Sequence, residues 1–277
     1  MQDIKLENCS IGYGNKIIVN DINAIIPHGK ITVILGGSGS GKSTLLRNLV
    51  ALSRPIKGKI FIGDTDLFSL PEKEFRRTRR RMGMLFQNGA LLGSLSLIDN
   101  VALPLYENTK LNKEQIYKAA LRCLTLVGLA DFTTLYPSEL SGGMRKRAGI
   151  ARAIITEPPM LFCDEPTSGL DPITSAQMDQ LLLDMKKSFP KMTMVVVSHD
   201  LASVKNIADY VLVLHKKHMI FSGTIDNLYQ TDNKYIQNFL ARRANFEDET
   251  LMISSNDSHF LEQNSIVQNA LQEWMKK

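Results

Sequence analysis

The stretch Gly36-Gly37-Ser38-Gly39-Ser40-Gly41-Lys42-Ser43 has the GxxxxGK[ST] spacing of a phosphate-binding P-loop. Its glycines permit backbone conformations that turn successive N–H groups toward one anion, at the positive end of a helix starting near Ser43. Lys42 supplies a mobile charge for β- and γ-phosphates, the Ser43 hydroxyl can ligate Mg2+, and Thr44 completes the nucleotide-binding stretch. A flexible glycine-rich turn is the alternative reading. Farther along, Met160-Leu161-Phe162-Cys163-Asp164-Glu165 reads as an apolar strand ending in two acids. That places both acids at the carboxyl edge of a sheet, where ligands of open α/β folds collect. Asp164 would hold Mg2+ through water, and Glu165 is the general base for an attacking water, a role worth roughly 100- to 10,000-fold in rate. Without the loop, such a pair would as readily be a helix N-cap. Leu140-Ser141-Gly142-Gly143-Met144 precedes a basic amphipathic helix running from Arg145 to about Ile155. The Ser141 hydroxyl and the N–H groups of the first turn make a second anion site, or a plain cap.

These groups need a sheet and helices to hold them. Ile31-Thr32-Val33-Ile34-Leu35 is too short for a helix and reads as a buried strand, while residues 43–52 return to helical spacing, so the glycines occupy a strand-to-helix turn. Short apolar strands at 82–86, 160–163, 193–198 and 210–214, separated by helical segments, predict a mostly parallel sheet covered by helices and an α/β fold. Residues 3–35 are rich in β-branched residues between turn signals, and residues 88–140 read as a helical insertion. A hairpin at 210–222 turns at Lys216-Lys217-His218, and 224–242 reads as helical. The expected organisation is a core of 1–87 and 141–244, an inserted helical subdomain at 88–140, and an extension at 245–277. In that extension Phe260, Val267, Leu271 and Trp274 have helix-compatible spacing.

With 277 residues, 44% hydrophobic and 22% charged, the composition excludes wholesale disorder and a small stapled fold. Thirty-three Lys+Arg against 28 Asp+Glu give a formal charge of +5, which mildly favours anionic partners. Cys9, Cys123 and Cys163 are far apart and form no CxxC pair, so a reducing compartment is expected, without disulfides or a zinc site. The first residues lack the blocks of a signal peptide, and no apolar run approaches the roughly 18 residues of a membrane span. A soluble, cytoplasmic protein attached to a membrane only through another protein is expected.

The P-loop, the two-acid strand end and Leu-Ser-Gly-Gly, in this order, resemble the ATP-binding subunits of ABC transporters over about residues 1–240. The resemblance implies a P-loop NTPase head with a mostly parallel core sheet, an N-terminal antiparallel β portion and the helical insertion, hydrolysing ATP with Mg2+. It also implies roles for further residues. Tyr13 matches the aromatic that stacks on adenine. Gln87 matches the glutamine that senses Mg2+ and the attacking water, Ser168-Gly169-Leu170-Asp171 the loop that crosses between protomers, and His199 the histidine at the γ-phosphate. Lys42, Gln87, Glu165 and His199 are then catalytic, with Ser43, Gln87 and Asp164 at the metal. The family unit is a head-to-tail homodimer in which Ser141, Gly142, Gly143 and Asp171 of one protomer close over ATP held by the other, bound to integral-membrane permease subunits.

Met144 stands where most of that family has Gln, and a thioether cannot replace the amide's hydrogen bonds. Residues 81–92, 99–105 and 138–144, however, resemble the Mla/Mce group, in which Met is expected at this position. That narrower resemblance implies phospholipid transport between inner and outer membranes, a place on the cytoplasmic face of the inner membrane, an Mce-type lipid-binding partner and a small regulatory subunit. The extension at 245–277 would embrace a second protomer or that subunit, pack on its own domain, or lie on the membrane. Arg76-Arg77-Thr78-Arg79-Arg80-Arg81 reads as a solvated helix face, with anionic headgroups as an alternative; no stacking aromatics interleave with it, which disfavours nucleic acid. An ATPase acting on DNA would place a very long coiled coil between Gly36 and Ser141, and translation-associated relatives carry two P-loops; this chain has neither. A small-molecule kinase would leave 140–144 and His199 without a role.

Overall fold

Alternation of apolar and polar residues builds the first sheet. The computed structural model of the protein describes residues 2–243, so the expected extension at 245–277 lies outside the described residues. Strands β1 (Ile4–Tyr13) and β2 (Lys16–Ile26) pair antiparallel across the two-residue turn Gly14-Asn15, with Gly14 at φ +54°. Ile22, Ala24 and Ile26 of β2 are buried and alternate with exposed residues, the pattern of a strand with one face on a core. The third strand, β3 (Ile31–Gly36), is buried throughout and belongs to the second sheet. With β4 (Lys57–Ile62) and β5 (Thr65–Asp66), the first sheet takes the order β2-β1-β4-β5, all antiparallel.

The second sheet adds β6 (Met82–Leu85), β7 (Met160–Asp164), β8 (Thr193–Ser198), β9 (Tyr210–His215) and β10 (His218–Thr224), in the order β10-β9-β3-β8-β7-β6. All neighbours are parallel except β10 on β9. β8 is buried along its whole length, which is why it reads as an uninterrupted apolar run rather than an alternating one. Two strand ends differ from the sequence reading: β6 stops at Leu85 rather than Phe86, and β7 extends to include Asp164. The hairpin closes through Lys216 and Lys217 at φ +42° and +68°, the backbone of a type I′ turn.

Helix α1 (Lys42–Leu49) fills the space between the sheets. Leu45, Leu46 and Leu49 are fully buried in one cluster with Ile4 and Ile22 of the first sheet and Phe162 and Val195 of the second. Helix α2 (Glu72–Arg79) contributes no buried residue, so the arginine run is the expected solvated face, with Arg76 paired to Glu72 at 2.6 Å. In the expected insertion, α3 (Leu97–Asn108) and α4 (Lys113–Leu126) pack on each other and on α5 (Gly142–Ile154). A capping box between Asn112 and Gln115 starts α4. Helices α6 (Pro172–Ser188), α7 (Leu201–Ile207) and α8 (Ile225–Tyr229) follow.

The described residues 231–243 belong to a second unit, which contains α9 (Lys234–Leu240). The expected continuous helix over 224–242 is therefore two short ones. The physical reason is local: Thr224 and Asn233 each accept a backbone N–H at a helix start, and such caps fix a new start instead of letting one helix run through. Among the described residues no helix is long and apolar enough to cross a membrane, and all three cysteines are free and buried.

Candidate functional site

The glycine loop joins β3 to α1. Gly41 is the N-cap of α1 at φ +100°, and no side chain caps the amides of the first turn. A Cβ on Gly41 would lie 2.4 Å from Val19 Cγ2, and one on Gly36 2.4 Å from the Leu214 carbonyl oxygen, so the space a side chain would need is taken by the Val19 side chain at the first and by backbone at the second. Lys42 is buried, and its Nζ donates to the carbonyls of Gly36 and Gly37, both at 3.0 Å. Burial pulls the Lys42 pKa below the usual lysine value, against the opposing pull of Glu165 and then Asp164. Ser40 Oγ is buried inside the same loop without a hydrogen-bond partner.

Four adjacent parallel strands, β3, β8, β7 and β6, deliver their carboxyl ends to one edge. Ser43 Oγ donates to Asp164 Oδ1 at 3.0 Å, which joins the loop to the end of β7. Burial raises the Asp164 pKa, and the Ser43 hydrogen bond works against that shift. Glu165 follows at φ +50°, a left-handed conformation uncommon outside glycine, and its N–H donates to the Val197 carbonyl at 3.0 Å. There its carboxylate accepts from Gln87 Nε2 at 3.3 Å and lies 3.2 Å from His199 Nδ1, with only 17% of its side chain exposed. Residues that end or follow β6, β7 and β8 thus meet at a single carboxylate. An adjoining cavity of about 570 Å³ is lined by Ser38, Gly39, Gly41, Lys42, Ser43, Thr44, Glu165 and His199, together with Ile18.

Tyr13 ends β1 and is 53% exposed, and its hydroxyl accepts from Thr44 Oγ1 at 3.3 Å, which ties it to the start of α1. Ser141, Gly142, Gly143 and Asp171 do not line the cavity of their own chain. Ser141 is exposed and caps α5, accepting from the Met144 N–H at 3.2 Å, so the helix begins at Gly142 rather than at Arg145. Gly143 is held close: a Cβ there would lie 2.8 Å from Thr174 Cγ2. Asp171 caps α6, accepting from the N–H groups of Ile173 and Thr174, both at 3.0 Å.

Several residues at or behind the site escaped the sequence reading. Ile18 lines the cavity from β2, where the sequence shows only an apolar strand position. Lys146 Nζ donates to the carbonyls of Glu165 at 2.9 Å and Ser168 at 2.5 Å. Arg152 donates to the carbonyls of Gly89 and Ala90 at 2.9 and 2.8 Å, holding the loop that follows Gln87. Asn100, wholly buried, donates to Leu92, Leu95 and Ser96 and accepts from the Leu92 N–H. The one available signal for Lys146 and Arg152 was the basic helix itself, which gives no hint of which cations turn inward.

The donor set fits a nucleoside triphosphate with Mg2+. An uncapped helix start, glycines whose Cβ positions are already filled, an unpartnered Ser40 hydroxyl and a Ser43–Asp164 oxygen pair all lie together, and oxygen ligands of this kind suit Mg2+. The sequence pattern of the family described as ABC transporter matches residues 19–168. The "Intermembrane phospholipid transport system ATP-binding protein MlaF" of Haemophilus influenzae is 39% identical over 237 residues, 86% of this chain and 89% of that protein. The "Probable ribonucleotide transport ATP-binding protein mkl" of Mycobacterium tuberculosis is 39% identical over 240 residues, 87% of this chain and 67% of that protein. Among solved structures, the ATP-binding cassette MJ0796, a dimer in a post-hydrolysis state with ADP and Pi, superposes with a TM-score of 0.73 at 31% identity, covering 80% of this chain and 98% of that one. Loop, strand-end carboxylates, two-sheet architecture and these similarities agree: the chain belongs to the ABC transporter family, as an ATP-binding subunit that hydrolyses ATP with Mg2+.

Proposed function

We propose that the chain is the motor of a transporter that moves phospholipid between the inner and outer membranes. It works as a homodimer on the cytoplasmic face of the inner membrane, under integral-membrane permease subunits, with an Mce-type lipid-binding protein and a small regulatory subunit as further partners. The observation that carries this reading is the match with MlaF, which spans 89% of that protein, whereas the match with mkl leaves a third of the relative uncovered. Met144 supports it. Ser141 Oγ accepts from the backbone N–H of Met144, so the cap at the head of α5 does not need the amide side chain that most of the family has there.

In this reading the loop from Gly36 to Thr44 holds the phosphates, Tyr13 stacks on adenine, and Lys42 leaves the Gly36 and Gly37 carbonyls to meet the β- and γ-phosphates. Ser43, Gln87 and Asp164 hold Mg2+, which spreads the charge of the β- and γ-phosphates when bound. Glu165 takes a proton from the attacking water, and Gln87 and His199 keep its carboxylate aimed. Ser141, Gly142, Gly143 and Asp171 of a second copy complete the site, since in their own chain they do not line its cavity. Two half-sites that each balance only part of a triphosphate then associate when ATP binds and part after hydrolysis.

Purification of the tagged protein from membranes in mild detergent tests the assignment, with identification of co-purifying subunits and bound lipid. A permease together with an Mce-type protein and phospholipid is expected. A permease for ribonucleotides, sugars or amino acids, without phospholipid, would overturn the cargo and leave the ATPase in place.

A further inference from the structure

Lys146 is 5% exposed, yet among the described residues no carboxylate comes within ion-pair distance of it. A buried ammonium has three donors and no acceptor, and it costs free energy unless those donors are used. Here two of them go to backbone carbonyls, at Glu165 and Ser168, the two ends of one turn. That turn is closed by the Ser168 N–H donating to the Glu165 carbonyl at 3.2 Å, so the carbonyl that shapes the turn is the one Lys146 grips. Glu165 itself sits at φ +50°, a conformation that persists only where surroundings over-determine it. Lys146 has a firm base from which to do this. Its helix α5 is fixed at Arg152 to the loop after Gln87, and a Cβ on Gly149 would lie 3.1 Å from Gly89 Cα, so helix and loop meet backbone to backbone.

We propose that Lys146 is a positioning residue for hydrolysis: its ammonium holds the left-handed turn at Glu165 and so aims that carboxylate between Gln87 and His199. Because Ser141 opens the same helix five residues earlier in the chain, the element that carries the second phosphate half-site also sets the general base of its own chain. A shift of α5 when Ser141 meets the nucleotide of a second copy is thereby passed to Glu165. The electrostatics agree in direction, since burial lowers the Lys146 pKa and the Glu165 carboxylate counteracts it. The inference rests on Glu165 being the general base, and the test separates the two ideas.

Lys146→Met, Lys146→Gln and Lys146→Arg are compared with the full-length wild type. Amide hydrogen exchange across 164–171 reads the turn directly and does not depend on what Glu165 does. In Lys146→Met the amides of Glu165 and Ser168 should exchange at least about tenfold faster while those of β8 are unchanged, as expected for local rather than global opening. Misplacing a catalytic group by about 1 Å costs on the order of 100-fold, so kcat should fall by about that factor, with KM and nucleotide Kd within about threefold of wild type. Lys146→Arg should restore most of kcat, because a guanidinium can reach both carbonyls. If Lys146→Met does not fold, Lys146→Gln supplies the same comparison with a neutral donor. Unchanged exchange at 164–171, or kcat equal to wild type in both neutral variants, would overturn the proposal. Wild-type hydrolysis by Glu165→Gln would instead remove Glu165 as the base while the exchange result still decides whether Lys146 holds the turn.

Discussion

Glu165→Gln removes basicity and almost nothing else. Glutamine has the shape of glutamate, the left-handed backbone is unaltered, and the Gln87 amide still finds an acceptor oxygen at about the present 3.3 Å. What disappears is a proton acceptor that is 17% exposed and flanked on two sides. Loss of a positioned general base costs roughly 100- to 10,000-fold, and at 1.36 kcal/mol per decade this is about 2.7 to 5.4 kcal/mol of transition-state stabilisation. Nucleotide binding draws on Lys42, Ser43 and the loop amides, so Kd should stay within about threefold, a change worth under 1 kcal/mol. Loss of the negative charge also removes an influence that holds the Lys42 pKa up, but two loop carbonyls still accept from its ammonium. Steady-state phosphate release at saturating ATP and Mg2+, equilibrium nucleotide binding and size-exclusion chromatography with ATP give the three readouts. Expected are slow release, preserved binding and accumulation of dimers. A monomeric variant releasing phosphate at the wild-type rate would refute the assignment of Glu165.

Gly41→Ala places a methyl 2.4 Å from Val19 Cγ2 on a backbone at φ +100°; a loss of about 1–3 kcal/mol in denaturant unfolding is expected, together with weakened ATP binding. Asn100→Leu keeps the branching of the side chain but strands the Leu92 N–H and the Leu95 carbonyl, while the Leu92 and Ser96 carbonyls keep their backbone donors; urea unfolding should show a loss of about 1–3 kcal/mol, with the loop at 92–96 exchanging first. Burial pushes Cys9 and Cys163 up to about 12 and Cys123 to about 11, from an unperturbed 9.0. Below pH 9 both folded and unfolded chains keep these protons; above it the unfolded chain ionises first, so this contribution to stability declines as pH rises from 9 toward 12. A thiol reagent at pH 8 should accordingly label none of the three until denaturant is added.

The α/β architecture and the P-loop could be read from sequence because their signals are local. A short apolar strand, a glycine run and a helical period adjoin one another at 31–52, and backbone geometry follows from neighbours along the chain. Asp164 and Glu165 were reachable one step further, since they end an apolar strand and parallel strands bring their carboxyl ends to one edge, whereas Gln87 and His199 were reachable only through the family resemblance. Lys146, Arg152 and Asn100 were not reachable. Lys146 and Arg152 act through carbonyl groups of a separate loop and Asn100 through those of the segment leading into its own helix, and a carbonyl leaves no mark in the identity of the residue that bears it. The break between α8 and α9 was legible in principle through the capping residues Thr224 and Asn233, which the reading of 224–242 as helical did not use.

Leu45, Leu46 and Leu49 lock the helix behind the anion loop into the oily centre shared by both sheets. Whatever grips the head of that helix is therefore riveted to the whole body that runs up to Gln230, not to a peripheral flap. A tight ligand at one hundred times its dissociation constant adds about 2.7 kcal/mol to the stability of the state that binds it. Saturation with nucleotide should thus lift the melting of both sheets together, and a heat scan on either of them would serve as a nucleotide gauge.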